Sequence, residues 1–184
     1  MKAVPFLIAV LFLAISALGQ TPAPVTPAPA PAPTSTFSLI TQAVALPGGK
    51  QTVAANITGG TFNFTPNFSL RNDNLFAPGN ELSGYFGGAQ YALPWLGTKL
   101  NNLSPNVDGN HFQFYVTASA GVDRIAVAGA DTKQHWAFLA GGGANYSPEG
   151  NRVFSVNLFE LRYAKLPGYA NNTWLFSSGV KLNF

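Results

Sequence analysis

The stretch of residues 173–184, TWLFSSGVKLNF, decides the fold class of this chain. Every second residue from its end is apolar except Ser178, in the set Phe184, Leu182, Val180, Ser178, Phe176 and Trp174. The intervening residues are polar or small except Leu175, in the set Asn183, Lys181, Gly179, Ser177, Leu175 and Thr173. A period of two is that of a β-strand, whose side chains point alternately to two faces. The stretch predicts a strand with one apolar face, long enough to cross a bilayer when tilted.

Similar alternation recurs along the chain between turn signals and predicts eight strands. The predicted strands are residues 37–46, 51–58, 61–70, 81–93, 110–122, 134–146, 152–163 and 173–184. Gly59 and Gly60 are predicted to turn the chain, Pro66 to break the third strand locally, and residues 71–80 to form a polar loop. In the long connection between the fourth and fifth strands, residues 96–103 are expected to form a short helix or a partial strand.

The composition is poor in charge for a soluble domain. Charged residues make up 9% and hydrophobic residues 47% of the 184 residues, whereas ordinary soluble domains carry about 25% charged residues. The net charge of +3 is too small and too dispersed to indicate nucleic-acid binding. The chain has no cysteine, which excludes disulfides, thiol catalysis and a cysteine-liganded metal.

The first 36 residues predict export and a spacer. Residues 1–19 combine Lys2, an apolar run and the small residues Ala17 and Gly19, so we expect a signal peptide cleaved before Gln20. An uncleaved membrane anchor is the alternative. Residues 20–36 are rich in Pro and Ala, which excludes helix and sheet and indicates an extended, flexible linker.

Residues 37–184 resemble the small bacterial outer-membrane β-barrel proteins of the OmpA-like and OmpX-like kind. The features that carry the resemblance are the alternation, the aromatic strand ends and the terminal Phe184. The resemblance implies an all-β domain, a closed antiparallel transmembrane barrel of about eight strands in the outer membrane of a Gram-negative bacterium. Both chain ends would face the periplasm, and the apolar strand faces would contact outer-membrane lipid. It also implies that the barrel-assembly machinery reads the last strand, through Trp174, Phe176, Val180, Leu182 and Phe184.

A soluble β-sandwich has the same alternation, but its outward face should be rich in Lys, Glu and Asp. Here the polar face consists mainly of Asn, Thr, Ser, Gln and Gly, which favours a narrow barrel lumen. Gly141 and Gly143 on this face would leave room for large side chains from facing strands. Asn56, Asn63 and Asn67, which belong to Asn-x-Ser/Thr sequons, are expected to point into the barrel.

Glu160, Arg162 and Lys181 are the candidate interior charges. Glu160 and Arg162 share a strand face, and the alternation of the last strand turns Lys181 inward as well. Because buried charges must be paired, we expect a lumenal network of these three residues. The two halves of the seventh strand are out of phase, so the network requires a bulge near residues 158–159; without it, the strand takes the opposite phase.

Catalytic patterns are mostly absent. His111 and His135 lie near strand starts without the further ligands of a metal site, and neither has a clear orienting carboxylate; Asp73 and Asp123 are expected in loops or at their edges. We therefore expect no enzyme, cofactor or metal, but an integral outer-membrane protein with an envelope-structural or surface-contact role, or with weak passage of small solutes. The alternatives are a secreted β-sandwich binding module or adhesin, and an outer-membrane lipid-modifying enzyme that uses His111 or His135.

Overall fold

A computed structural model describes residues 37–48, 51–77, 82–103, 109–125, 133–148, 153–167 and 169–184. The predicted signal peptide and linker lie outside these residues. Within the described ranges there are eight strands, a short α-helix and a 3₁₀ turn. They are β1 Phe37–Gly48, β2 Gln51–Asn63, β3 Phe68–Ala77, β4 Leu82–Ala92, α1 Pro94–Leu103, the 3₁₀ turn Gly109–His111, β5 Phe112–Ile125, β6 Lys133–Tyr146, β7 Phe154–Leu166 and β8 Ala170–Asn183.

The sheet closes on itself. Each strand pairs antiparallel with its neighbours in the chain, and β1 pairs with β8, so the closed sheet has no free edge. This confirms the predicted antiparallel barrel. A row of paired residues that leaves β8 at Asn183 passes through Ser38, Thr61 and Arg71 and returns to β8 at Thr173. This stagger means that the strands are tilted relative to the barrel axis.

The predictions for residues 59–80 were wrong in three respects. Gly59 and Gly60 do not turn the chain but lie inside β2, where a Cβ on Gly59 would overlap the main-chain oxygen of Asn72 on β3. Pro66 lies in the turn between β2 and β3 instead of breaking a strand. The predicted polar loop is mostly β3, because its charged side chains face the barrel interior rather than water.

The orientation of the alternating faces changes around the barrel. In β5 and β8 the apolar set faces outward, as predicted; Val116, Phe176 and Leu182 are examples. In β2 the orientation is the reverse, since Ala55 and Ile57 are buried inside the barrel. The expectation that Asn56 points inward is therefore wrong, because its side chain is exposed on the outer wall.

The barrel has two different ends. One end, which we call the terminal end, holds Phe37 and Phe184, the β2–β3 turn and the connection that contains α1. Of the two alternatives expected for residues 96–103, a short helix or a partial strand, the structure has the helix. At the opposite end, the strands are joined by residues 49–50, 78–81, 126–132 and 167–169. No helix in the described part of the chain is long and apolar enough to cross a membrane.

The interior is divided along the barrel axis. Toward the opposite end it is filled by buried apolar side chains, which we call the apolar half: Val44, Leu46, Ala55, Ile57, Leu75, Ala77, Leu82, Phe86, Ala137, Leu139, Ala164, Leu166 and Leu175. Toward the terminal end the buried interior side chains are mainly polar or charged. A fully buried Leu contributes about 1.5–3 kcal/mol relative to an exposed one, so the apolar half gives the barrel a conventional core.

Candidate functional site: the buried charge network

Arg71, Asp73, Glu160 and Arg162 form an ion-pair network inside the barrel. Arg71 and Asp73 lie on β3, and Glu160 and Arg162 lie on β7, on the other side of the barrel in the strand order. All these side chains are at most 1% exposed. Ion pairs between the two strands therefore span the interior.

The Arg71 guanidinium is the centre of this network. It donates to Glu160 through two nitrogens, with Nη1–Oε1 at 2.7 Å and Nη2–Oε2 at 3.0 Å. Its Nε donates to Asp73 Oδ1 at 2.9 Å. Paired N–H donors facing a carboxylate give the strongest and most directional contact of this kind. This contact fixes the distance between β3 and β7.

Arg162 completes the ionic part of the network. Its Nη1 donates to Asp73 Oδ2 at 2.6 Å, and its Nε lies 3.4 Å from Glu160 Oε1. Two guanidinium groups and two carboxylates balance to zero charge. Neutral pairing matters here, because an uncompensated charge in such an interior is strongly destabilising.

Amide and hydroxyl groups extend the network to further strands. Gln42 on β1 donates to Glu160 Oε2 at 2.7 Å and to Asn157 Oδ1 at 3.0 Å. Asn157 on β7 donates to the Tyr115 hydroxyl of β5 at 2.8 Å and to Asn145 Oδ1 of β6 at 2.9 Å. These bonds connect the ion pairs to polar groups that lie nearer the terminal end.

A bulge in β7 turns Glu160 into this network. The pairing with β8 passes from Asn157–Gly179 to Glu160–Ser177, and the intervening Leu158 and Phe159 are both 42% exposed on the outer wall. With strict alternation, Asn157 and Glu160 would point to opposite faces. The predicted bulge near residues 158–159 is confirmed, and it allows both residues to face inward.

Gly141 and Gly143 of β6 lie beside the network, as their predicted inward orientation requires. A Cβ on Gly143 would be 2.8 Å from the Tyr115 hydroxyl oxygen, and one on Gly141 would overlap the main-chain oxygen of Leu161. Their missing side chains allow β7 and Tyr115 to approach β6 closely.

The sequence predicted part of this network. The structure brings Glu160 and Arg162 together, while Lys181 is buried on β8 but forms no ion pair with another residue in the described ranges. Sequence reasoning missed Arg71 and Asp73, because they were assigned to a loop. The signal that could have found them is the period-two set Ser69, Arg71, Asp73 and Leu75, all of which face inward.

Comparison with solved structures gives the same architecture. Neisserial surface protein A matches over 83% of this chain and 99% of its own, at 13% identity and a TM-score of 0.54. The N-terminal β-barrel domain of Pseudomonas aeruginosa OprF matches over 80% and 97%, at 17% identity and a TM-score of 0.53. The fold is that of the small outer-membrane β-barrels. The outer membrane protein OprG from P. aeruginosa has it too, with 82% and 96% covered, 12% identity and a TM-score of 0.51.

At this level of identity the likeness concerns the fold. No family model matches the sequence, and no curated protein matches it. The chemistry that this barrel can perform therefore depends on its own residues and not on the fold that it shares.

The histidines do not extend the network. His111 Nδ1 lies 2.9 Å from the main-chain oxygen of Ser147, at the terminal end of the barrel. His135 Nδ1 lies 3.5 Å from Asp123 Oδ1. The prediction that Asp73 and Asp123 occupy loops or loop edges was wrong for both, because they are buried in β3 and β5. Among the described residues, no group of three or more His, Cys, Asp or Glu side chains could hold a metal ion.

The residues of the predicted assembly signal lie on the outer wall of β8. Trp174, Phe176, Val180, Leu182 and Phe184 are all exposed there. The Phe184 main-chain N–H donates to the Phe37 main-chain oxygen at 2.9 Å. The end of β8 is thus bound to the start of β1, where the barrel closes.

Proposed function

We propose that this chain is a non-enzymatic, integral β-barrel protein of the bacterial outer membrane, with an envelope-structural role and a lumen closed to solutes. The observation that carries the proposal is the contrast between an outer wall that is mostly apolar and an interior filled by the Arg71–Glu160 network and the apolar half. A barrel of this kind needs lipid around it and offers no continuous path for water through it.

The distribution of exposed aromatic residues supports a membrane-spanning orientation. One belt lies toward the terminal end and contains Phe37, Phe62, Phe68 and Tyr91, and another lies toward the opposite end and contains Phe76, Tyr85, Trp136 and Trp174. Transmembrane barrels carry such aromatic girdles at the two membrane interfaces, with an apolar band between them. Outer-membrane lipid is therefore the expected partner of the wall, and the barrel-assembly machinery that of β8.

The filled interior supports a closed lumen. The ion pairs connect β3 with β7 across the barrel, and the side chains of Leu46, Leu82 and Leu139 occupy the section nearer the opposite end. Porins that conduct use wider barrels with a water-filled lumen, whereas small barrels fill theirs with side chains. Solute passage is therefore the least supported of the possible roles.

The uneven distribution of connections favours a structural role over surface contact. With both chain ends in the periplasm, the short connections 49–50, 78–81, 126–132 and 167–169 would face the outside of the cell. The connection with α1 and the Pro-rich residues 20–36 would lie on the periplasmic side. The barrel would then anchor this periplasmic segment in the envelope.

Fractionation combined with heat-modifiability tests the proposal. The full chain is expressed in a Gram-negative host, outer membranes are isolated with sarkosyl, and unboiled and boiled samples are compared by electrophoresis. We expect the protein in the insoluble fraction, with a mobility that changes on boiling. In planar bilayers, the purified barrel should give no single-channel steps. A soluble periplasmic or secreted protein without a mobility shift would overturn the proposal and favour a β-sandwich binding module.

A further inference from the structure

The outer wall of β1, β2 and β3 carries a polar patch. We define the polar patch as Thr41, Asn56, Thr58, Asn72 and Asn74, whose side chains all face away from the interior. They are neighbours across the strands, since Thr41 pairs with Thr58 and Thr58 pairs with Asn74. The patch is thus one continuous surface.

The polar patch lies between the two aromatic belts. On β3, Asn72 and Asn74 lie between the exposed residues Leu70 and Phe76. On β1, Thr41 follows the exposed Leu39 of the terminal end. In the proposed membrane orientation, these polar groups are therefore at the depth of the hydrocarbon.

The other side of the barrel shows what the wall carries elsewhere. At corresponding depth, the outward residues of β5 and β6 include Val116, Ala118, Ala120, Phe138 and Ala140, which are apolar and suited to lipid. Hydrocarbon cannot satisfy amide or hydroxyl groups, and each unsatisfied polar group there costs several kcal/mol in order of magnitude. The polar patch therefore calls for a partner that can form hydrogen bonds.

The outer wall at the polar patch has a groove that a partner could approach closely. A groove of about 500 Å³ is lined by Thr41, Thr58, Asn72 and Asn74 and bordered by Leu39 and Leu182, among other residues. Small exposed residues adjoin the patch, because Ala43 pairs with Asn56 and Gly87 pairs with Asn72. Small residues on membrane-embedded surfaces let two backbones come close enough for polar groups to bond.

We propose that the polar patch is a lateral docking surface for a second copy of this chain within the membrane. The proposal rests on the proposed membrane location. A two-fold arrangement places the same surface on both partners, and Asn is self-complementary because its amide both donates and accepts. The patch contains no charged residue, so it requires no oppositely charged partner. Lipid headgroups lie at the wrong depth to occupy it.

Site-specific crosslinking tests the proposal, because the native chain has no cysteine. Ala43→Cys places a thiol on the outer wall beside the patch, and Ala118→Cys places one on the outer wall of β5 as the matched control. In outer membranes treated with a mild oxidant, we expect a disulfide-linked dimer of the Ala43→Cys protein and none of the Ala118→Cys protein. Mass spectrometry identifies the crosslinked chains.

A second variant tests whether the dimer depends on the Asn side chains of the patch or only on chance encounters between the introduced cysteines. Asn72→Leu with Asn74→Leu in the Ala43→Cys protein should abolish the dimer while the heat-modifiable barrel remains. Equal crosslinking at both cysteine positions, an unchanged dimer in the leucine variant, or a conjugate with a different protein would each overturn the proposal. A heat-modifiable barrel in the outer membrane without the dimer refutes only this inference, whereas a soluble protein refutes the membrane location itself.

Discussion

Arg71 of β3 and Glu160 of β7 are joined across the barrel interior by two hydrogen bonds of 2.7 and 3.0 Å. The two residues are 89 positions apart in the chain, and their side chains are at most 1% exposed. Their contact links two strands that share no backbone hydrogen bonds in the barrel order. It therefore connects opposite walls of a barrel whose backbone hydrogen bonds join only neighbouring strands.

Removing either partner of this contact should destabilise the barrel strongly. Glu160→Ala leaves the Arg71 guanidinium buried without its main counter-charge, and breaking a buried pair in this way costs about 3–5 kcal/mol. The measurement is urea unfolding of the protein in lipid vesicles, followed by tryptophan fluorescence. Lys165→Ala, on the same strand but exposed, is the matched control and should change the free energy of unfolding by about 0.5 kcal/mol or less. Equal losses for the two variants would contradict the role of the network.

The double variant Arg71→Ala with Glu160→Ala should lose less stability than the sum of the two single variants. The remaining Asp73 and Arg162 are 2.6 Å apart and form a neutral pair, so neither of the two network charges that remain loses its partner. Groups in direct contact show coupling energies of about 0.5–3 kcal/mol. A double-mutant cycle in the same unfolding assay measures this coupling energy. Strictly additive losses of stability would be inconsistent with a direct interaction between Arg71 and Glu160.

Loss of the ion pairs alone should not open the lumen. Arg71→Ala removes side-chain volume from the polar section, but the apolar half, which includes Ile57, Leu75 and Leu175, still fills the barrel. Single-channel recording of the purified variant in planar bilayers should therefore show the same closed baseline as the unmodified protein. Discrete conductance steps in Arg71→Ala would instead mean that the ion pairs are the main barrier to ions.

Phe184→Ala should impair assembly in cells more than folding in vitro. Phe184 is exposed at the end of β8, so its loss removes little interior packing, whereas the assembly machinery is expected to read this residue. The folded fraction is measured by heat-modifiability, once in isolated outer membranes and once after refolding into detergent. Leu103→Ala, an exposed residue of α1, is the control. A defect of equal size in both settings would indicate a structural role for Phe184.

The strands of the second half of the barrel could be predicted from the sequence because their polar and apolar faces are clearly separated. In β5 and β8 the apolar residues face outward and the polar residues face inward, so period and polarity agree. In β2 the side chains of Ala55 and Ile57 face inward and those of Asn56 and Thr58 face outward, and its two consecutive Gly residues resemble a turn signal. For this reason, the strand limits of residues 59–80 could not be obtained from local pattern alone.

The candidate site was only partly accessible from the sequence for a related reason. Glu160 and Arg162 share one strand, so their common face was visible once a bulge was assumed. Arg71 meets them only through the closure of the barrel, and Asp73 looks like a loop residue until its strand is known. A single sequence carries no signal that pairs positions so far apart.

The short connections at the opposite end have a consequence for how a cell would present this protein. In the proposed orientation, with the chain ends in the periplasm, the connections on the outer side are residues 49–50, 78–81, 126–132 and 167–169, and the longest of them has seven residues. Proteases, antibodies and bacteriophages would therefore have few residues outside the strands to cleave or recognise. The longer connection that contains α1 would lie behind the outer membrane, out of their reach.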